Sequence, residues 1–306
     1  MFRTEASPNV GAGHVFRCLA LANHFAKEGW DCEFAVNPQA GATVPALKDS
    51  PFDLLGPEMA GEFVDLLVVD YYGSTLSYEI NCRSWARKIM VIDDLANRRH
   101  DCDLLLDQTL GRVSEDYSSL VPDKAKLLLG PSFALLRPEF GLMRSRSLER
   151  RKGILERVLV SLGGSDPKDI TSLTLRALKA VGIPCEIDVV LGSGSPNYHA
   201  VARVIETMDL PVNLHLDTSC MSELMASADL SIGACGTTSW ERCALGLPAL
   251  VIVTAENQRF IAEKLEDSGA VKVLGDWTEV TEDLLKFELY QLASNPRTLS
   301  LMSQVA

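Results

Sequence analysis

The 306-residue sequence lacks several features that would each point to a class of protein. No segment approaches the ~18–20 consecutive apolar residues that a membrane-spanning helix needs, and the first residues lack the charged-then-apolar layout of a signal peptide. The eight cysteines are scattered, with no CxxC pair and no zinc-like spacing. These absences predict a cytoplasmic protein with free thiols, no stable membrane association and no metal site.

Basic residues are also in short supply. The chain carries 29 lysines and arginines against 41 aspartates and glutamates, which gives a formal net charge of −12. Proteins that bind the phosphate backbone of nucleic acid carry basic patches, so this balance argues against nucleic acid as a partner. It remains compatible with a local pocket for one small anion. The sequence also has no Walker motif and no serine in a nucleophile elbow.

What the sequence does contain is a regular alternation of short buried strands and helices. Residues Leu66–Val69 and Ile89–Ile92 read as strands in the first half, and Val158–Leu162 and Ala249–Val253 read as strands in the second. Strands that alternate with helices predict parallel βαβ units, in which ligands bind at the carboxyl ends of the strands.

A basic segment divides the two halves. Residues 144–157 are rich in arginine and lysine and have almost no apolar periodicity, so they are either an interdomain connection or the solvated face of a helix. We therefore predict an α/β protein with two Rossmann-like domains, at residues 1–150 and 151–306, facing each other across a cleft that holds the ligand.

The first of three glycine-bearing loops ends in a histidine. Gly11-Ala-Gly13-His14 precedes an amphipathic helix, so the backbone can pass close to a ligand and present N–H groups at a helix start. The positive end of a helix disfavours the imidazolium, and a general base at neutral pH must be a neutral imidazole. His14 is therefore a candidate base, although it could also simply cap the turn.

The second loop follows the strand Val158–Leu162. Its glycines, including Gly164, together with Ser165 could contact a ligand through the backbone. Asp166 could be an N-cap and Pro167 the first helical residue, so a purely structural role is equally open.

The third loop is the most informative. Gly236, Thr237, Thr238 and Ser239 offer N–H and O–H donors to a diphosphate at a helix N-terminus. Glu241 lies about one turn into that helix, where its carboxylate could bind both hydroxyls of a ribose or could simply complement the helix dipole.

Polar residues follow three other strands. Asn257 and Gln258 come after Ala249–Val253, and their amides are typical sugar or phosphate contacts, although loops are polar in general. Tyr72 follows Leu66–Val69 and could enter the same cleft. Asp93-Asp94 ends the next strand, but adjacent strand residues point to opposite faces, so we do not expect a metal pair there.

Several motifs together resemble a known family. The N-terminal residues, from Phe2 to Ser7 and from Gly11 to Ala22, resemble those of the UDP-2,4-diacetamido-2,4,6-trideoxy-β-L-altropyranose hydrolases of pseudaminic acid biosynthesis. The resemblance runs from residue 2 to about residue 275. Further motifs recur in the family's order: Asp70 to Tyr72, Ile92 to Asp94, Gly130 to Arg137, Gly163 to Asp166, Gly233 to Glu241, and Asn257-Gln258.

The resemblance implies a glycosyltransferase-B fold, similar to the N-acetylglucosaminyltransferase that completes lipid II. It implies that the N-terminal domain is catalytic, with His14 as the base and Tyr72 orienting the substrate, and that the C-terminal domain binds UDP. No cofactor is implied. The remaining substrate contacts that it implies are Gly13, Arg17, Gly164, Ser165, Asp166, Gly236, Thr237, Thr238, Ser239, Glu241, Asn257 and Gln258.

The implied reaction is metal-independent hydrolysis of the UDP-linked diacetamido sugar with inversion at C1. UDP is a good leaving group, and donors at helix starts could hold the departing diphosphate. Two alternatives stay open: a glycosyltransferase of the same fold that passes the sugar to another acceptor, and a nucleotide-sugar-binding protein without catalysis. We expect a monomer.

Overall fold

The computed structural model describes residues 1–58 and 63–306, which form two α/β units, Met1–Leu136 and Arg137–Ala306. Alternate residues of the central strands enter different apolar clusters. In the first unit, Val68 and Met90 join one cluster and Leu67 and Ile89 join another. Both faces of the sheet are therefore buried, as expected for a parallel sheet covered by helices.

The first unit contains a seven-stranded parallel sheet in the order β3-β2-β1-β4-β5-β6-β7. Its strands are β1 (Phe2–Thr4), β2 (Glu33–Val36), β3 (Asp53–Leu55), β4 (Val64–Asp70), β5 (Ala86–Ile92), β6 (Leu104–Asp107) and β7 (Lys126–Leu129). Its helices are α1 (Gly13–Lys27), α2 (Ala40–Thr43), α3 (Pro45–Lys48) and α4 (Leu76–Cys82), with short 3₁₀ helices at Ser114–Tyr117 and Pro131–Phe133.

The second unit contains a six-stranded parallel sheet in the order β10-β9-β8-β11-β12-β13. Its strands are β8 (Arg157–Ser161), β9 (Glu186–Leu191), β10 (Val212–Leu216), β11 (Leu230–Ala234), β12 (Ala249–Val253) and β13 (Val271–Asp276). Its helices are α5 (Pro138–Arg150), α6 (Ile170–Val181), α7 (Tyr198–Glu206), α8 (Met221–Ser227), α9 (Thr238–Ala244), α10 (Arg259–Ser268), α11 (Glu282–Ser294) and α12 (Pro296–Val305), with a 3₁₀ helix at Glu256–Gln258.

Each sheet has one point where the strand order reverses. In the first unit β1 lies between β2 and β4, and in the second unit β8 lies between β9 and β11. The loops after β1 and β4, and those after β8 and β11, therefore leave neighbouring strands in opposite directions. This opens a crevice at the carboxyl edge, which is the usual place for a ligand in an open α/β sheet.

The division between the units falls after Leu136, one helix before the predicted boundary at residue 150. The basic segment does not form a connection between the units, because its first half, residues 144–150, lies in α5 and the whole segment belongs to the second unit. Phe140 on α5 packs in an apolar cluster with Leu159 and Leu245, and the Ser147 hydroxyl donates to the carbonyl of Leu245 at 2.7 Å. These contacts bind α5 to the second unit.

One predicted helix boundary also differs. The helix expected to begin at Pro167 begins at Ile170. Among the described residues, no helix combines the length and the apolar character that crossing a membrane would require.

Candidate functional site

The reversal point of the first sheet carries a buried histidine. The loop after β1 leads directly into α1, whose second residue is His14, and only 6% of that residue is exposed. Asp70 is the last residue of the neighbouring strand β4 and is fully buried. The adjacency of β1 and β4 therefore brings a helix start and a strand end together.

His14 and Asp70 form a close pair. His14 Nδ1 lies 2.6 Å from Asp70 Oδ1. Because an ionised carboxylate only accepts hydrogen bonds, Nδ1 must carry the proton, and Nε2 is then the nitrogen able to take up another. The geometry is that of an imidazole held in one tautomer by a buried carboxylate, which is how a general base is commonly oriented.

Arg17 binds the same carboxylate from the next turn of α1. Its Nε donates to Asp70 Oδ2 at 2.7 Å and its Nη2 donates to Asp70 Oδ1 at 2.6 Å. Burial by itself raises the pKa of Asp70, but the charges and hydrogen bonds of Arg17 and His14 outweigh it, so the pKa lies well below its ordinary value. Asp70 is therefore a permanent negative charge beside His14.

Asp94, which follows β5, links Arg17 to Tyr72. Its Oδ2 accepts hydrogen bonds from Arg17 Nη1 at 3.1 Å and from the Tyr72 hydroxyl at 3.3 Å. The Tyr72 ring meets the His14 ring edge to face, with centroids 4.5 Å apart. Tyr72 thus lies beside His14.

Arg17 was expected to contact substrate. Its side chain is only 3% exposed, and its Nε, Nη1 and Nη2 all donate to Asp70 or Asp94. The structure therefore gives Arg17 a positioning role, and a contact with substrate stays a prediction. Asp93 and Asp94 do point apart, as expected: Asp93 lies 2.9 Å from the Tyr117 hydroxyl, away from His14.

Asp70 and Asp94 were not predicted as site residues. A signal was present, because each ends or directly follows a buried strand. The sequence does not show that β4 and β5 are neighbours in the sheet, with β4 next to β1. Only the strand order of the structure shows this.

In the second unit, the loops after β8, β11 and β12 follow three adjacent strands. The loop after β8 presents exposed backbone: Gly163 adopts a φ of +94°, and a Cβ at Gly164 would meet nothing within 4 Å. Asp166 lies apart from that surface, because it is only 3% exposed and its carboxylate accepts from the N–H groups of Ile170 and Thr171. The Asp166 carboxylate therefore has a structural role at the start of α6, and its contact with substrate stays a prediction.

The hydroxyl residues of the loop after β11 differ in burial. Helix α9 begins at Thr238, and since a helix leaves its first N–H groups without intrahelical partners, those near Gly236 and Thr237 can bind a ligand. Ser239 was expected to join them, but it is fully buried and its hydroxyl accepts from Arg242 Nη2 at 2.9 Å. Ser239 therefore supports the loop from beneath.

Glu241 is a buried acid that lies beside Arg137. It is 8% exposed, and its Oε1 lies 3.4 Å from Arg137 Nη2, a residue that was not predicted as part of the site. Burial raises the pKa of the Glu241 carboxyl above its ordinary value, and the charge of Arg137 offsets only part of that rise. A carboxylate held at this cost is typical of a ligand contact.

The amide of Gln258 joins two of these loops. Its Oε1 accepts from the N–H of Thr254 at 3.0 Å and from the N–H of Cys235 at 3.3 Å. This ties the loop after β12 to the loop after β11 and places Asn257, which is half-buried, at the same edge. Across residues 1–58 and 63–306, no group of three or more His, Cys, Asp or Glu side chains could hold a metal ion.

The two sheets with their reversal points define a class of protein. Acinetobacter baumannii MurG aligns over 99% of this chain and 93% of its own, with a TM-score of 0.67 and 16% identity. A spinosyn rhamnosyltransferase complexed with thymidine diphosphate aligns over 99% and 95%, with a TM-score of 0.63 and 13% identity. The chain has a glycosyltransferase-B fold.

Sequence comparison adds detail within that fold. Residues 158–306 match the glycosyltransferase family 28 C-terminal domain. The UDP-2,4-diacetamido-2,4,6-trideoxy-β-L-altropyranose hydrolase of Campylobacter jejuni is 25% identical over 278 residues, which are 88% of this chain and 96% of that protein. The spore coat polysaccharide biosynthesis protein SpsG of Bacillus subtilis is 28% identical over 95% of this chain and 88% of its own. The resemblance that the motifs indicate is thus confirmed.

Proposed function

We propose that this protein is an enzyme acting on nucleotide sugars, and that it hydrolyses UDP-2,4-diacetamido-2,4,6-trideoxy-β-L-altropyranose to UDP and the free sugar in pseudaminic acid biosynthesis. The observation that carries the proposal is the His14–Asp70 contact of 2.6 Å at the reversal point of the first sheet. A hydrolase needs a base that takes a proton from water, and the His14–Asp70 pair has the geometry expected of such a base. The named Campylobacter relative supports the choice of substrate.

In the proposed reaction, a water oxygen attacks the anomeric carbon C1 from the side opposite UDP. One proton of the water passes to His14 Nε2 as the new C1–O bond forms. The bond between C1 and the diphosphate oxygen breaks, and its electron pair leaves on UDP. Attack from the opposite side inverts the configuration at C1. Asp70 holds the resulting imidazolium by Coulomb attraction and does not itself take the proton.

We assign UDP binding to the carboxyl edge of the second sheet. Backbone N–H groups at Gly164, Gly236 and Thr238 are suited to the diphosphate, because N–H donors at turns and helix starts stabilise anions without a metal ion. Glu241 is suited to the ribose hydroxyls, and Asn257 to the nucleotide or sugar. Tyr72 is placed to orient the attacking water or the substrate beside His14.

The test is release of UDP from the purified protein with this substrate, with and without EDTA, for the wild type and for His14→Ala. We expect release that resists EDTA and falls about 10²–10⁴-fold in the variant, the usual contribution of a general base. UDP affinity, measured by calorimetry, should be the same in both proteins. Release that survives in His14→Ala would overturn the mechanism while keeping the reaction.

A glycosyltransferase is the second candidate, because MurG and the spinosyn rhamnosyltransferase share the fold. It predicts no UDP release from the sugar in water alone and release only when an acceptor is added. A protein that binds UDP tightly and releases none under either condition would instead be a nucleotide-sugar-binding protein.

A further inference from the structure

We propose that Asp94 is a positioning residue that sets how readily His14 takes up a proton, acting through Arg17. The inference rests on the proposed role of His14 as a base. Asp94 does not touch His14 in the structure; its hydrogen bonds go to Arg17 and Tyr72, the two residues that flank the imidazole.

The charge of Asp94 is only partly balanced. Its Oδ2 accepts from Arg17 Nη1 and from the Tyr72 hydroxyl, whereas its Oδ1 is buried and has no hydrogen-bond partner among the described residues. Arg17 gives two of its nitrogens to Asp70 and one to Asp94. A single guanidinium thus serves two buried carboxylates.

His14, Arg17, Asp70 and Asp94 form a cluster of charged and titratable side chains. With His14 neutral, Asp70 and Asp94 contribute two negative charges and Arg17 contributes one positive charge, which leaves the cluster with one negative charge. Uptake of a proton by His14 brings the cluster to neutrality. Because charges interact more strongly in a buried site than in water, this balance favours the imidazolium that the reaction must form.

The other nearby groups cannot supply the charge that Asp94 contributes beside His14. Asp70 keeps its negative charge in both states of His14, because its pKa lies well below the ordinary value. Burial raises the pKa of the Cys18 thiol, which donates to Asp70 Oδ2, so it stays neutral. Arg112 donates to the backbone carbonyl of Asp94 and to the side chain of Asp107, so it fixes the position of the Asp94 backbone.

Asp94 also holds Tyr72 through the same oxygen that binds Arg17. The Tyr72 hydroxyl donates to Asp94 Oδ2, and its ring then stands at 83° to the His14 ring. Loss of the carboxylate should therefore have two separable effects, one on the charge around His14 and one on the orientation of Tyr72.

The experiment compares Asp94→Asn with the wild type by the pH dependence of kcat/KM for UDP release and by NMR titration of the His14 imidazole in the ligand-free protein. Asparagine keeps the shape and can still accept from Arg17, but it removes the charge. We expect the acid limb of the rate profile and the His14 titration midpoint to move together to lower pH, by about 0.5–1 unit, as loss of a nearby opposite charge requires. Asp94→Ser, which is also neutral, replaces Asp94→Asn if that variant unfolds.

Three controls separate charge from shape. Asp94→Glu keeps the charge and should leave both midpoints near the wild-type values even if kcat falls. Tyr72→Phe removes the donor to Asp94 and should lower kcat without moving the acid limb. Asp93→Asn removes the adjacent carboxylate, which faces Tyr117, and should move neither midpoint.

Identical His14 midpoints in the wild type and both neutral variants would overturn the proposal and leave Asp94 as a packing residue. An equal shift in Asp93→Asn would also overturn it, because the effect would then follow from the loss of any nearby buried carboxylate and not from Asp94 in particular. The NMR titration needs no turnover. A shift in that titration, in a protein that does not hydrolyse the UDP sugar, would support the role of Asp94 and reject the proposed hydrolysis.

Discussion

The carboxyl edges of the two sheets carry opposite kinds of surface. In the first unit, the edge is a buried network of charged side chains in which Arg17 binds both Asp70 and Asp94. In the second unit, the edge has exposed backbone at Gly163 and Gly164, a helix start at Thr238, and the buried acids Asp166 and Glu241. Both edges lie at the reversal point of a parallel sheet.

The difference shows how one architecture can support two tasks. Proton transfer needs a side chain fixed in one tautomer, so charges are buried and paired in advance. Recognition of a diphosphate needs several donors close together, which glycines and a helix start supply without any side-chain charge. The shared fold positions the loops, and the residues in those loops decide what each edge can do.

Among the variants that test this contrast, Asp70→Asn has the largest expected effect. The amide cannot hold Arg17 and orient His14 as the carboxylate does, so kcat/KM for UDP release should fall about 10²–10⁴-fold. Removing one member of a buried ion pair should also lower the free energy of unfolding by about 3 kcal/mol. Activity and chemical denaturation measure the two effects. A stable, active Asp70→Asn would mean that the first edge does not depend on its buried charges.

The contacts of Asp70 with Arg17 and His14 also predict a pH dependence of the free energy of unfolding. The pKa of Asp70 is lower in the folded state than in the unfolded chain, so the unfolded state binds more protons between the two values and stability rises with pH there. This contribution is fully present above about pH 4, the ordinary range of an aspartate, and is lost as the pH falls below it. Denaturation curves from pH 3 to 6 should show the loss in the wild type and a flatter profile in Asp70→Asn.

Glu241→Gln in the second unit should change the free energy of unfolding in the opposite direction to Asp70→Asn. Burial raises the pKa of Glu241, so the folded state binds more protons than the unfolded one in that range, and the ionised carboxylate costs stability as the pH rises. We expect Glu241→Gln to leave the free energy of unfolding unchanged or increased at pH 7. Affinity for UDP should fall about 10–100-fold, because a hydrogen bond to a charged acceptor is lost.

Calorimetry with UDP and urea denaturation measure both quantities for Glu241→Gln. Arg137→Gln is the matched control, since it removes the arginine that partly neutralises the acid. Arg137→Gln should destabilise the folded protein when Glu241 is ionised, whereas Glu241→Gln should not lower the free energy of unfolding. Equal losses of stability in both variants would contradict the view that Glu241 is kept for binding.

The sequence predicted the architecture better than it predicted the roles of individual side chains. Apolar runs identified parallel strands such as Leu66–Val69, and glycine-rich loops identified turns at the carboxyl ends of the strands, because both signals are local. The partnership of His14 with Asp70 is not local, since it depends on β1 lying beside β4. The same holds for Arg137, which meets Glu241 only because α5 packs on the second unit.

Local reasoning was least informative where neighbouring hydroxyls face different ways. Thr237, Thr238 and Ser239 form one run of donors in the sequence, yet the first two are half-buried and Ser239 is fully buried beneath the loop. No pattern of residue types distinguishes them, because the direction of each side chain follows from where α9 begins.

This distinction gives the smallest expected effect and a direct test. Ser239→Ala removes the acceptor for Arg242 Nη2, so it should lower the free energy of unfolding by about 1–2 kcal/mol and leave UDP affinity within about twofold. Thr238→Ala, one residue earlier at the start of α9, should weaken UDP binding several-fold at little cost in stability. A pair of variants that lose affinity equally would mean that the run acts as a single donor surface, as the sequence alone suggests. Separate losses would mean that the buried hydroxyl shapes the loop and the half-buried one binds.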